Sequence, residues 1–214
     1  MKKVFLIAAI VAISFGTYAQ TSFGIHAGAN FATMKFEDDD DDVKSKVGLV
    51  IGALAEIDFG SSISFRPELN FIQKGYKYDE TNFESKLSLN YIELSPNFVY
   101  NVPAGSGKFY IGLGPSFGFG ISGKYKTEIL GEGEEEIDVE FGNDEDNDDF
   151  KSFDYGLNIL AGYKLPAGLS LTAGYNLGLG NISFDDDDDV KNRGFSIKLG
   201  YMFGGNSETA TPVN

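Results

Sequence analysis

Two runs of consecutive aspartate, Asp38 to Asp42 and Asp185 to Asp189, are the densest collections of ligand-type side chains in the sequence, and Val-Lys follows each (FEDDDDDVKSKVG from residue 36, SFDDDDDVKNRGFS from residue 183). Carboxylate oxygens suit hard divalent cations, and a built calcium loop spaces its ligands at alternate positions, with Gly at the sixth and Glu at the twelfth. DDDDDVKNRGFS has neither the spacing nor the terminal Glu. The runs therefore read as solvated acidic loops. The charge they accumulate is expected to attract calcium only weakly, with affinity on the order of millimolar.

Other chemistry is sparse. The sole histidine, His26, has no partner pattern of nucleophile and orienting group around it, so it reads as a satisfied structural histidine rather than a base. The glycine-rich run GLGPSFGFG (112–120) alternates with large apolar residues and leads into no helix signal, unlike a phosphate-cradling loop. A net charge of −15 without a basic patch disfavours nucleic acid as a partner. Cysteine is absent, so neither a disulfide framework nor a thiol nucleophile is available. No catalytic residue, cofactor site or built metal centre is expected.

The elements that must carry these residues begin with a secretory signal. Met1-Lys2-Lys3, an apolar stretch from Val4 to Phe15 and small residues at Thr17 and Ala19 mark residues 1–19, so the mature chain is expected to start at Gln20. The apolar stretch is too short to cross a bilayer as a helix. From there to residue 204 hydrophobicity alternates with period two. In 169–180, Leu169, Leu171, Ala173, Tyr175, Leu177 and Leu179 share one face, while Ser, Thr, Gly and Asn share the other. Eight such segments appear, at roughly 22–36, 46–59, 62–77, 87–102, 108–125, 151–164, 169–180 and up to Phe203, with 205–214 left as a short tail. Their length exceeds the ordinary strand of about 5 or 6 residues and suits a tilted crossing of about 9 to 11.

Short links (DFGSS, NVPAGSGK, KLPAG) alternate with longer polar ones, and 26 of the 32 acidic residues fall in the four longer links. That asymmetry belongs to an all-β, eight-stranded antiparallel up-and-down transmembrane barrel, with short periplasmic turns and longer extracellular loops. A soluble lipocalin-like barrel would reverse the faces, placing the apolar side inward and charges outward. Pro67, Pro96 and Pro115 fall within strands, where each removes a ladder donor, and bulges are expected there.

Parity sends Glu56, Arg66, Glu68, Lys74, Glu93, Asp154, Lys164 and Lys198 into the lumen, four acids and four bases that must pair. Arg66 is expected to anchor a network with Glu56, Glu68 or Glu93, sealing the barrel rather than gating it. Strands 1 and 8 become neighbours on closure, so the two aspartate runs meet at one sector of the rim above Lys44, Lys46, Lys191 and Arg193.

The strands FGIHAGANFA (23–32), FRPELNFIQKGYK (65–77), LNYIELSPNFVYN (89–101) and FYIGLGPSFGFG (109–120) together resemble the outer-membrane β-barrel family of Bacteroidetes, labelled porin family or PorT-like. The resemblance implies an eight-stranded barrel exposed at the cell surface and is silent on activity. The expected partners are outer-membrane lipid and lipopolysaccharide, with weak divalent-cation binding at the aspartates. The expected role is non-enzymatic, in membrane integrity or surface interaction. A narrow channel for small solutes is the alternative, and an enzyme acting on membrane lipid ranks behind it.

Overall fold

The structure, a computed structural model, describes residues 20–36, 43–60, 62–80, 83–129, 133–185 and 189–203. The expected signal segment, Asp38 to Asp42, Asp186 to Asp188 and the expected tail lie outside them. Twelve strands occur among the described residues: β1 (Gln20–Lys35), β2 (Val43–Lys44), β3 (Lys46–Asp58), β4 (Ile63–Glu80), β5 (Phe83–Ala104), β6 (Gly107–Ile129), β7 (Gly133–Val139), β8 (Phe141–Gly142), β9 (Phe150–Lys151), β10 (Phe153–Lys164), β11 (Leu169–Gly178) and β12 (Lys191–Phe203). The eight long ones pair in the order β1, β3, β4, β5, β6, β10, β11, β12. The ring closes because β12 returns antiparallel to β1, from Phe23↔Phe203 to Lys35↔Lys191.

Alternation decides which solvent each face meets. On β12, Leu199 is 62% exposed while its neighbour Lys198 is 4% exposed, the inverse of a water-soluble protein. The outward face is apolar on all eight strands, and aromatic rings gather near its two ends. Tyr201 and Phe203 (ring centroids 5.2 Å apart) and Phe65 and Phe98 (5.3 Å) lie toward the short-turn end, while Phe31 and Phe195 (6.3 Å) and Phe117 and Phe153 (6.5 Å) lie toward the other. Aliphatic residues fill the space between, the arrangement of a transmembrane barrel with aromatic girdles at both interfaces.

Two corrections concern the links. The predicted loop between the third and fourth strands is almost absent, because the β4–β5 ladder runs on to Glu80↔Phe83. The acidic third link is also largely paired: β7 lies antiparallel along β6, and β8 and β9 form a short parallel pair. Beyond the lipid the apolar face disappears, so alternation no longer marks a strand. Cross-strand ion pairs such as Lys77 to Glu84 (2.9 Å) and Lys126 to Glu134 (2.6 Å) accompany the pairing there.

The prolines supply a third correction. No register shift occurs at Pro67, Pro96 or Pro115; the one irregularity between β5 and β6 lies between Asn90 and Tyr91. Pro67 faces Pro96 directly, and the β5–β6 register on either side places Pro96 opposite Pro115, so the three form a row across adjacent strands. Pairing lapses at Ser95 to Asn97 against Gly114 to Ser116 and resumes unchanged at Phe98↔Leu113. A missing donor interrupts a ladder without inserting a residue, so a gap replaces the bulge.

Candidate functional site: a sealed lumen and a banded outer rim

The eight charges that parity turned inward all lie inside the barrel, and the structure fixes their pairing. Toward the short-turn end, Glu56 receives Arg66, whose Nε donates at 3.1 Å, and Lys164, whose Nζ donates at 2.7 Å. The Arg66 guanidinium lies 4.2 Å above the Tyr110 ring, and the Tyr110 hydroxyl is 2.6 Å from Thr172 Oγ1. Next along the barrel, Lys198 donates to Glu68 at 2.6 Å and His26 Nε2 donates to Asn70 Oδ1 at 2.6 Å. Toward the outer end, Lys74 bridges Glu93 (2.8 Å) and Asp154 (3.0 Å), with Tyr91 beside it and Asn192 donating to Asp154 at 3.0 Å. Of the three acids offered to Arg66, only Glu56 binds it directly; Glu68 and Glu93 are taken by lysines from other strands.

Parity also applies to Lys46, which sequence analysis placed at a loop base. It is buried with Gly48 and Val50, its Nζ 3.4 Å from the Lys74 carbonyl. Tyr91, Tyr110, Asn70 and Asn192 are further lumen partners that sequence analysis missed. Their inward parity was legible, but which residues they meet depends on register across the ring.

Above the polar network an apolar cluster closes the outer mouth. Met34, Val50, Ile72, Leu87, Leu89, Val139, Ile182 and Val190 are buried together, with Phe141 and Phe150 packed against them. Ile182 belongs to the link between β11 and β12, and its backbone bonds to Lys151 and Val190 hold it across the mouth. An eight-stranded interior is just wide enough for side chains to fill, and here they fill it.

The outward face of the outer rim is banded. In one row Gln73, Asn90 and Ser122 face each other across β4, β5 and β6, joined by amide hydrogen bonds of 3.1 and 3.0 Å. Four residues further out stand Lys77, Lys86 and Lys126, with Lys44 of β2 opposite Lys77. Two residues beyond that come Asp79, Glu84 and Glu128. The aspartate runs are attached to neighbouring strands, since β1 pairs with β12. Asp189 pairs with Lys191, and among the described residues no group of three or more His, Cys, Asp or Glu is placed to hold a metal ion.

Apolar outside, ion-paired inside and closed on itself, the fold defines an eight-stranded outer-membrane β-barrel. The chain belongs to the outer membrane protein beta-barrel domain family, whose model matches residues 18–183, and it resides in the outer membrane. No curated protein matches the sequence. Among solved structures it is similar to Neisserial surface protein A (16% identity over 85% of this chain and 98% of that one, TM-score 0.46). It is also similar to Ail, the attachment invasion locus protein of Yersinia pestis (15% over 86% and 99%, TM-score 0.41), and to the N-terminal β-barrel domain of Pseudomonas aeruginosa OprF (11% over 86% and 99%, TM-score 0.38).

Proposed function

We propose that this protein is a non-conducting, non-enzymatic barrel that anchors an acidic hairpin platform at the cell surface and acts through membrane integrity and surface contact. The observation that carries this reading is the filled lumen, in which paired charges are capped by the apolar cluster around Leu89 and Ile182. Planar-bilayer recordings of the refolded protein are expected to show no stable conductance; large, steady channels would favour a small-solute pore and overturn the reading. The non-enzymatic part is supported by His26, which is bonded to Asn70 in the lumen and has no access to the rim.

Outer-membrane lipid and lipopolysaccharide are the proposed partners. The aspartate runs on the β1 and β12 sector add weak divalent-cation capture; calorimetric calcium binding is expected to weaken when Asp185 to Asp189 become Asn, and unchanged binding would remove that element. The Pro-Glu-Leu, Tyr-Ile-Glu and Gly-Leu-Gly-Pro strand motifs support an origin in the Bacteroidetes branch of the family.

A further inference from the structure

Directly opposed like charges destabilise a strand pair, yet β2, β4, β5 and β6 place Lys44, Lys77, Lys86 and Lys126 in one continuous register row. Lys124 stands one row nearer the lipid, opposite Ser88. The row occupies a particular height. On β5 the outward face passes from Leu94 and Ile92 through Asn90 and Ser88 to Lys86. Six residues of tilted strand put Lys86 about 15 Å above the last apolar residue, and a lysine stem reaches back toward the interface. Every outward-facing Lys or Arg of the described strands lies at this rim, and none interrupts the apolar band below.

Carboxylates balance part of the row. Lys77 meets Asp79 (3.5 Å) and Glu84, and Lys126 meets Glu134 and Glu136 (2.7 Å). On β4 and β5 the acids Asp79 and Glu84 stand two residues farther from the lipid than Lys77 and Lys86, while on β7 Glu136 stands opposite Lys126 within the row and Asp138 opposite Lys124. Lys86, in the centre, has no carboxylate partner among the described residues. A fixed anion supplied from the membrane side would relieve the repulsion within the row and complete the Lys86 contacts.

We infer that the Lys77, Lys86 and Lys126 row is a binding site for the phosphate groups of outer-leaflet glycolipid. This rests on the proposed lipid partnership and specifies where it is made. The lipid is held by its phosphates at the β4–β5–β6 wall, with the acid row above setting the limit of approach from the solvent side.

The test uses the refolded full barrel in neutral micelles, titrated with lipid A bearing both phosphates and with dephosphorylated lipid A, binding being read by thermophoresis. The phosphorylated lipid is expected to bind more tightly, and its advantage should shrink as salt rises. Lys86→Gln, which breaks no ion pair, should weaken that binding about fivefold, and Lys77→Gln with Lys86→Gln and Lys126→Gln about a hundredfold, at roughly fivefold per lysine near a charged surface. Lys108→Gln at the opposite end should change nothing, and heat-modifiable mobility reports that each variant is folded. Phosphorylated lipid bound equally by wild type and the triple variant would overturn the site alone. Wild type that binds neither lipid would overturn the lipid partnership as well.

Discussion

Lys74 shows how much depends on one side chain in the lumen. It is the shared base for Glu93 and Asp154, each almost wholly buried, and among the described residues no other cation pairs with either acid. Breaking a buried pair from one side costs far more than the pair contributes, because the surviving charge is left unsolvated. Lys74→Met is therefore expected to destabilise the barrel by about 3 to 5 kcal/mol, read as a lower denaturant midpoint in micelles. Adding Glu93→Gln and Asp154→Asn should recover most of the loss, and a triple variant no more stable than the single one would refute the bridge. Period two was enough to turn these side chains inward. It did not say that Lys74 rather than Arg66 would meet Glu93, because that depends on register accumulated around the ring.

At the level of elements, the hairpins above the membrane were not legible in the sequence. Alternation marks a strand only where one face is apolar, and Lys77, Glu84, Lys124 and Glu136 present none, so these paired strands look like polar loops. The ion pairs that accompany this pairing make it sensitive to acid. Hydrogen bonds from Lys124 and Lys126 draw the Glu136 carboxyl down from its ordinary 4.5 to about 2. A carboxylate depressed by folding stabilises the paired state above its ordinary value and loses that contribution as pH falls through the lowered one. Amide protection along β7 should accordingly decline between pH 4.5 and about 2. Glu136→Gln should flatten that decline, and an unchanged pH profile in the variant would show that the pairing has another source. The proline row carries a similar lesson. A missing donor was legible at Pro96 and Pro115, but the two residues face each other across one seam, so a gap in the ladder costs no change of register.

For the molecule as a whole, the alternation of short and long links and the reversal of polar and apolar faces carried the fold from the sequence alone, because a bilayer imposes both. The apolar closure of the mouth was not legible. Ile182, Val190, Val139 and Phe141 are scattered through links where no periodicity operates, and only their convergence over Leu89 makes a cap. The absence of conductance expected in bilayers is a property of the whole lumen, which the ion pairs and the cap each obstruct. A variant carrying Ile182→Ser and Leu89→Ser loosens the cap while leaving every ion pair in place, and it should still fail to conduct. Conductance in that variant would show that the cap alone is the seal.

The unequal lengths of the strands give the molecule a front and a back. β5 and β6 run for 22 and 23 residues, whereas β11 ends after 10 and β12 spans 13. A neighbour drifting in the plane of the membrane meets a tall charged palisade from one compass direction and a low, greasy shoulder from the other.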